Sequence, residues 1–78
     1  MLILFGTNLK RIRESKQLSQ QDLCCKLELL GLTMFKADIY EIENNKRLVK
    51  DFEAKALCLA LSITFDELYA NTDHYFGH

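Results

Sequence analysis

Residues 26–47 read KLELLGLTMFKADIYEIENNKR, and the fold follows from how the second half of this stretch is periodic. Phe35, Ile39 and Ile42 return at helical spacing, which predicts a helix from about Phe35 to Asn44. Stepping 100° per residue from Ile39 places Phe35 and Ile42 within roughly 60° of it, as a buried stripe. The opposite face collects Ala37, Tyr40, Glu41 and Asn44, with Lys36 at its margin. Glu43 falls about 40° from Ile39, on the inward side, where a carboxylate needs a basic partner. Asp38 lies in the first turn, where a negative charge supports the helix dipole by roughly 0.3–1 kcal/mol. Asn44 and Asn45 can take the left-handed conformation that ends a helix, and Lys46 and Arg47 follow at the negative end of the dipole.

Upstream, Leu9 and Ile12, with Phe5 one turn earlier, predict a first helix from about Thr7 to Lys16, and Gln17 with Leu18 makes the turn. Ser19-Gln-Gln-Asp22 is a capping-box signature that opens a second helix, whose Leu23, Leu27 and Leu30 face the core and which ends near Gly31. Downstream, Ala54, Leu57 and Leu61, with Ala56 and Ala60, give a fourth helix a wide apolar face from Asp51 to Leu61, and Cys58 fits among these small residues. Thr64-Phe-Asp-Glu67 caps a fifth helix in which Phe65 and Leu68 turn inward. No proline and only three glycines interrupt the chain, which favours helices throughout. The expected fold is all-α, a compact five-helix orthogonal bundle. It forms one domain over residues 1–78, with a core of about 5–69, an apolar segment 1–4 and a tail 71–78.

Seventy-eight residues leave room for one core, and 49% hydrophobic with 27% charged residues is the balance of a soluble globule rather than of a disordered or membrane-spanning chain. MLILF at the start lacks a basic leader and is too short for a signal peptide or a span, so it is expected to pack on the domain or on a second subunit. Three cysteines, Cys24, Cys25 and Cys58, cannot all pair, which points to thiols in a reducing cytoplasm. His74 and His78 are the only candidates to complete a zinc site with them, and packing explains the cysteines better. The net charge of −1 argues against strong non-specific binding to nucleic acid, but the charge is polarised. Lys10, Arg11, Arg13 and Lys16 against Glu14 make residues 1–20 basic, whereas residues 51–78 set Lys55 against five acids. No nucleophile sits with a base, and no glycine-rich phosphate loop occurs, so no catalysis, cofactor, metal or small-molecule substrate is expected.

LKRIRESKQLSQQDL (Leu9–Leu23), IYEIENNKR (Ile39–Arg47) and LCLALSITFDEL (Leu57–Leu68) together resemble, in order, the lambda-repressor-like helix-turn-helix domains of Cro and Xre type found in bacteria and phages. The resemblance spans Phe5 to Tyr69. It implies a sequence-specific, DNA-binding transcriptional regulator in which the second helix braces on the phosphate backbone and the third enters the major groove, usually within a two-fold dimer. Carried over by position, Arg13 and Glu43 become a structural ion pair joining the first and third helices. Gln20 becomes a phosphate contact at the start of the second helix, or an ordinary first-turn polar residue. Lys36, Ala37, Tyr40 and Glu41 fall on base-reading positions, and Asn44, Lys46 and Arg47 on the phosphate side.

Lysine can donate to guanine O6 and N7, and glutamate can accept from cytosine N4, so Lys36 and Glu41 can specify bases, each contact worth about 1–3 kcal/mol. Lys36, Lys46 and Arg47, each at a phosphate or groove edge in both subunits of a homodimer, would give about six neutralised charges and a log–log salt slope near −5. The alternative reading is a protein-interaction module, antirepressor-like or partner-binding, that keeps the fold without tight DNA binding; the acidic second half and the apolar Phe52 and Leu59 favour it. Leu59 would equally serve a regulator's dimer contact. Two features depart from the family pattern. Phe35 stands where a small polar cap is usual, with ELLGLTMF lengthening the connection before it, and Asn45 replaces the usual glycine.

Overall fold

Residues 5–70 are described by the computed structural model. Among them the elements are all helical, in the order α1 (Gly6–Ser15), α2 (Gln20–Leu29), α3 (Lys36–Glu43), α4 (Asp51–Leu61) and α5 (Phe65–Leu68). Met1–Leu4 and the tail carrying His74 and His78 lie outside the described residues.

Local chemistry sets the helix starts. Ser19 Oγ accepts the Asp22 N–H at 2.9 Å while the Asp22 carboxylate accepts the Ser19 N–H at 2.9 Å. Thr64 and Glu67 repeat this exchange at α5, at 3.2 Å each way. Phe35 and Lys50, which precede α3 and α4, carry no side-chain oxygen, so only the returning half of the box forms there. Asp38 accepts the Phe35 N–H at 2.9 Å and Glu53 accepts the Lys50 N–H at 3.0 Å.

The first four helices end alike. Gln17 (φ 59°), Gly31 (φ 87°), Asn45 (φ 59°) and Ser62 (φ 57°) are left-handed. The N–H that follows each reaches back into the last turn: Leu18 to Arg13, Leu32 to Leu27, Lys46 to Glu41 and Ile63 to Cys58, at 2.8–3.1 Å. This closure satisfies carbonyls that a helix end leaves bare. Only at Gly31 is the residue one that adopts such a φ freely.

Every helix contributes to one core. Leu9 of α1, Leu23 and Leu27 of α2, Ile39 and Ile42 of α3, Leu57 and Leu61 of α4 and Leu68 of α5 are fully buried, joined by Phe5, Ile12, Cys24, Met34, Ala54 and Cys58. α3 packs on α1 and α2, α2 on α4, and α5 on both α4 and α1. Asn8 Nδ2 ties α1 to the end of α5 by donating to the Leu68 carbonyl at 3.1 Å and to that of Ala70. The radius of gyration, 11.7 Å, is close to the roughly 11.5 Å of a compact chain of this length. No described helix is long and apolar enough to cross a membrane.

Three expected core residues are instead exposed, each because it sits at a helix boundary. Leu30 lies one residue past α2, as its C-cap, and its place in the core goes to Leu32 and Met34 in the connection. Phe35 is the N-cap of α3, with extended backbone (φ −94°, ψ 160°), which takes its side chain off the helical register; it is 69% exposed. Phe65, the first residue of α5, stacks on Tyr69 at 6.0 Å rather than entering the core.

Candidate nucleic-acid interface

α3 stands on a buried polar base. Its Glu43 carboxylate accepts from Arg13 Nε at 2.7 Å and Nη2 at 3.1 Å, while Arg13 Nη1 donates to the Leu18 carbonyl at 2.6 Å. Gln20 Nε2 also donates to Glu43 Oε1, at 3.0 Å. One carboxylate therefore joins α1, α2 and α3. Both charged side chains are buried, at 8% and 1% exposure, and a two-point guanidinium–carboxylate pair fixes direction as well as distance. The bond to Glu43 raises the Arg13 pKa above its ordinary value despite the opposing effect of burial. Among the described residues no buried side-chain nitrogen or oxygen lacks a hydrogen-bond partner.

A second strut holds the far side. Arg47 donates to Glu53 Oε1 at 3.3 Å and Oε2 at 2.9 Å, and its Nε lies 3.9 Å from Asp38 Oδ1. Asp38 thereby links the start of α3 to the start of α4. Burial pushes the Glu53 carboxyl up, but the Arg47 bond, the Lys50 N–H and the charges of both residues outweigh it and hold the group below its ordinary value of 4.5. Arg47, expected on the phosphate side, is thus committed to an intramolecular carboxylate.

Close approach seats the helix. Gly6 opens α1 directly beneath the end of α3: its N–H donates to Asn45 Oδ1 at 3.1 Å. A methyl on Gly6 would fall on the Ile42 carbonyl oxygen and meet Asn45 Oδ1 at 2.6 Å and the Glu43 carbonyl oxygen at 2.8 Å. The left-handed Asn45 therefore does two things, ending α3 and capping α1 with its side chain.

Above this base, Lys36, Ala37, Tyr40, Glu41 and Asn44 are all exposed, on the face opposite the buried Ile39 and Ile42. Asn44 Nδ2 donates back to the Tyr40 carbonyl at 2.8 Å, and the Lys46 ammonium rides over the Tyr40 ring at 6.0 Å. The four expected base-reading residues are therefore brought together, with Asn44 and Lys46 at the C-terminal end of the same face. Gln20 is half-buried and oriented by Glu43 rather than free in solvent. A cleft of about 290 Å³ opens beside the start of α3, bounded by Gln21, Cys24 and Glu28 of α2 and by residues 33–36.

Neither the Gly6 contact nor the Arg47–Glu53 strut was read from the sequence. A glycine in the first turn of a helix is a weak sign of close packing. Glu53 three residues after Lys50 was a legible half-box. Burial pushes the thiols of Cys24 and Cys58 up, which disfavours the reactive thiolate, and Cys25 is exposed. No group of three or more His, Cys, Asp or Glu among the described residues is arranged to hold a metal ion. No family model, no curated protein and no solved structure matches the chain.

Proposed function

We propose that the chain is a sequence-specific DNA-binding transcriptional regulator of Cro/Xre type, acting in the cytoplasm as a homodimer that occupies an operator. In this reading α2 and α3 are the helix-turn-helix of an orthogonal bundle, and α3 lies in the major groove. The observation that carries it is the open outward face of α3, with Lys36, Ala37, Tyr40 and Glu41 all exposed above a helix that buried bonds hold rigidly in place. A reading head must be held within a fraction of an ångström to discriminate bases, and it must be free of its own protein.

Lys36 donates to guanine and Glu41 accepts from cytosine. Lys46 and Asn44 meet phosphates, with the backbone N–H groups at the start of α2 beside Gln20, whose side-chain amide stays on Glu43. Arg47 stays with Glu53, so Lys36 at the groove edge and Lys46 at phosphate, in two subunits, give about four neutralised charges and a salt slope near −3.6 rather than −5. A partner-binding module is the second reading, favoured by Phe52 and Leu59, both 59% exposed on α4. Selection from a randomised duplex pool at graded salt decides between them, repeated with Lys36→Ala and Glu41→Ala. A palindromic motif whose preferences change in those variants is the expected result. A folded protein that enriches no sequence at low salt would overturn the regulator reading and favour the module.

A further inference from the structure

We propose that Phe35 is a specificity residue that reads the C5-methyl group of thymine, an inference that rests on α3 entering the major groove. Residues that precede a helix ordinarily supply an oxygen to its free amides, and Ser19 and Thr64 do so in this chain. At α3 the same place holds a phenylalanine, which accepts nothing. The Asp38 N–H turns instead to the Phe35 backbone carbonyl, at 2.9 Å, so the ring serves no amide, and at 69% exposure it is left in water.

Nothing in the fold offsets this. Phe35 forms neither of the ring pairs among the described residues, and it lines the open cleft between α2 and the start of α3. Its backbone is nonetheless firmly held. The Phe35 N–H donates to Asp38 Oδ2 at 2.9 Å, and Asp38 is in turn faced by Arg47. A local rule broken at a rigid, exposed position is the mark of a residue kept for recognition.

The position identifies what is recognised. A helix lying in the major groove presents its N-terminal residues to the base edges, and Phe35 precedes the exposed Lys36 and Ala37. The groove displays hydrogen-bonding groups and one apolar group, the thymine methyl. A phenyl ring set against a donor or acceptor strips it of water without replacing the bond. Set against the methyl it buries apolar surface on both sides. Phe35 therefore selects thymine at the step that faces the start of α3.

The test replaces each thymine of the selected duplex by deoxyuridine, which removes only the methyl, and measures binding by fluorescence anisotropy at fixed salt. At one step per half-site the native protein should lose about fourfold, the factor for one buried methyl. Phe35→Ser, which restores a cap oxygen, should keep its helical circular dichroism and bind the thymine and uracil duplexes equally. Equal binding by the native protein, or discrimination that survives in Phe35→Ser, would overturn the role of Phe35 while leaving the regulator reading intact. Failure to select any duplex would remove the regulator reading itself. Free protein whose sedimentation falls from dimer to monomer on Phe35→Ser would reassign the ring to a protein interface.

Discussion

Gly6→Ala sets two effects of opposite sign against each other. On propensity alone, alanine in place of a helical glycine is favourable by up to about 1 kcal/mol. The tertiary contact runs the other way. The new methyl would collide with the Ile42 carbonyl oxygen and crowd Asn45 Oδ1 and the Glu43 carbonyl, two of which are backbone atoms that cannot rotate aside. Overpacking of this kind costs about 1–3 kcal/mol. Displacing α1 also loses the bond from the Gly6 N–H to Asn45 Oδ1, about 0.5–1.5 kcal/mol. The net expectation is a loss of about 2 kcal/mol, which lowers Tm by about 8–16 °C in a domain of this size. Thermal unfolding followed by circular dichroism, with urea unfolding at 25 °C as a second measure, reads it directly. An unchanged or higher Tm would refute the claim that α3 is seated by direct backbone contact at Gly6. Under the proposed regulator reading, the same variant should bind DNA more weakly even where it is fully folded, since the end of α3 has moved.

Arg13→Met leaves the buried Glu43 carboxylate with Gln20 alone and should cost about 3–5 kcal/mol in urea unfolding, whereas Arg13→Met combined with Glu43→Leu should recover most of it. A loss below about 1 kcal/mol in the single variant would contradict a buried pair. Because the Glu53 pKa is lowered in the folded state, its contribution is fully present above the ordinary value of 4.5 and is lost as pH falls through the folded value. Stability should therefore decline below about pH 4.5, and Glu53→Gln should flatten that part of the profile. Gln17→Gly relieves a left-handed φ of 59° at an exposed site and should raise stability by about 0.5–1 kcal/mol, seen as a higher Tm. Arg47→Ala should lower Tm by unpairing Glu53; under the proposed regulator reading it should leave the salt slope of DNA binding unchanged, whereas Lys46→Ala should reduce that slope by about 1 per subunit and leave Tm alone.

Much of the fold was legible because it is local. The Ser19–Asp22 and Thr64–Glu67 boxes involve residues three apart, and the structure forms both. The inward faces of α1 and α4 follow from 3.6-residue periodicity, and Leu9, Ile12, Leu57 and Leu61 are buried as expected. The errors fall where periodicity stops. Extending a helical register to the boundary places Leu30, Phe35 and Phe65 inward, whereas Leu30 caps the end of α2, Phe35 is an extended residue before α3 and Phe65 is the first residue of α5, and all three are exposed. The same stepping places Ala37, Tyr40 and Glu41 outward with Lys36 at the margin, and all four are exposed, since Lys36 to Glu43 is helical without interruption.

By itself the sequence determined five helical segments, where most of them begin and end, and which face of each is apolar, because propensity, capping and periodicity act within a few residues. Tertiary structure alone decided that Gln20 shares the carboxylate of Glu43, that Arg47 turns to Glu53 instead of outward, and that Gly6 lies against the end of α3. Gly6 and Gln20 meet partners 39 and 23 residues away. Arg47 and Glu53 are only six residues apart, but they meet across a turn whose path depends on how α3 and α4 pack. Local rules carry no information about such meetings; they follow from how the packed helices approach one another, which brings Gly6 against Asn45 and leaves the Glu43 and Glu53 carboxylates buried and in need of donors.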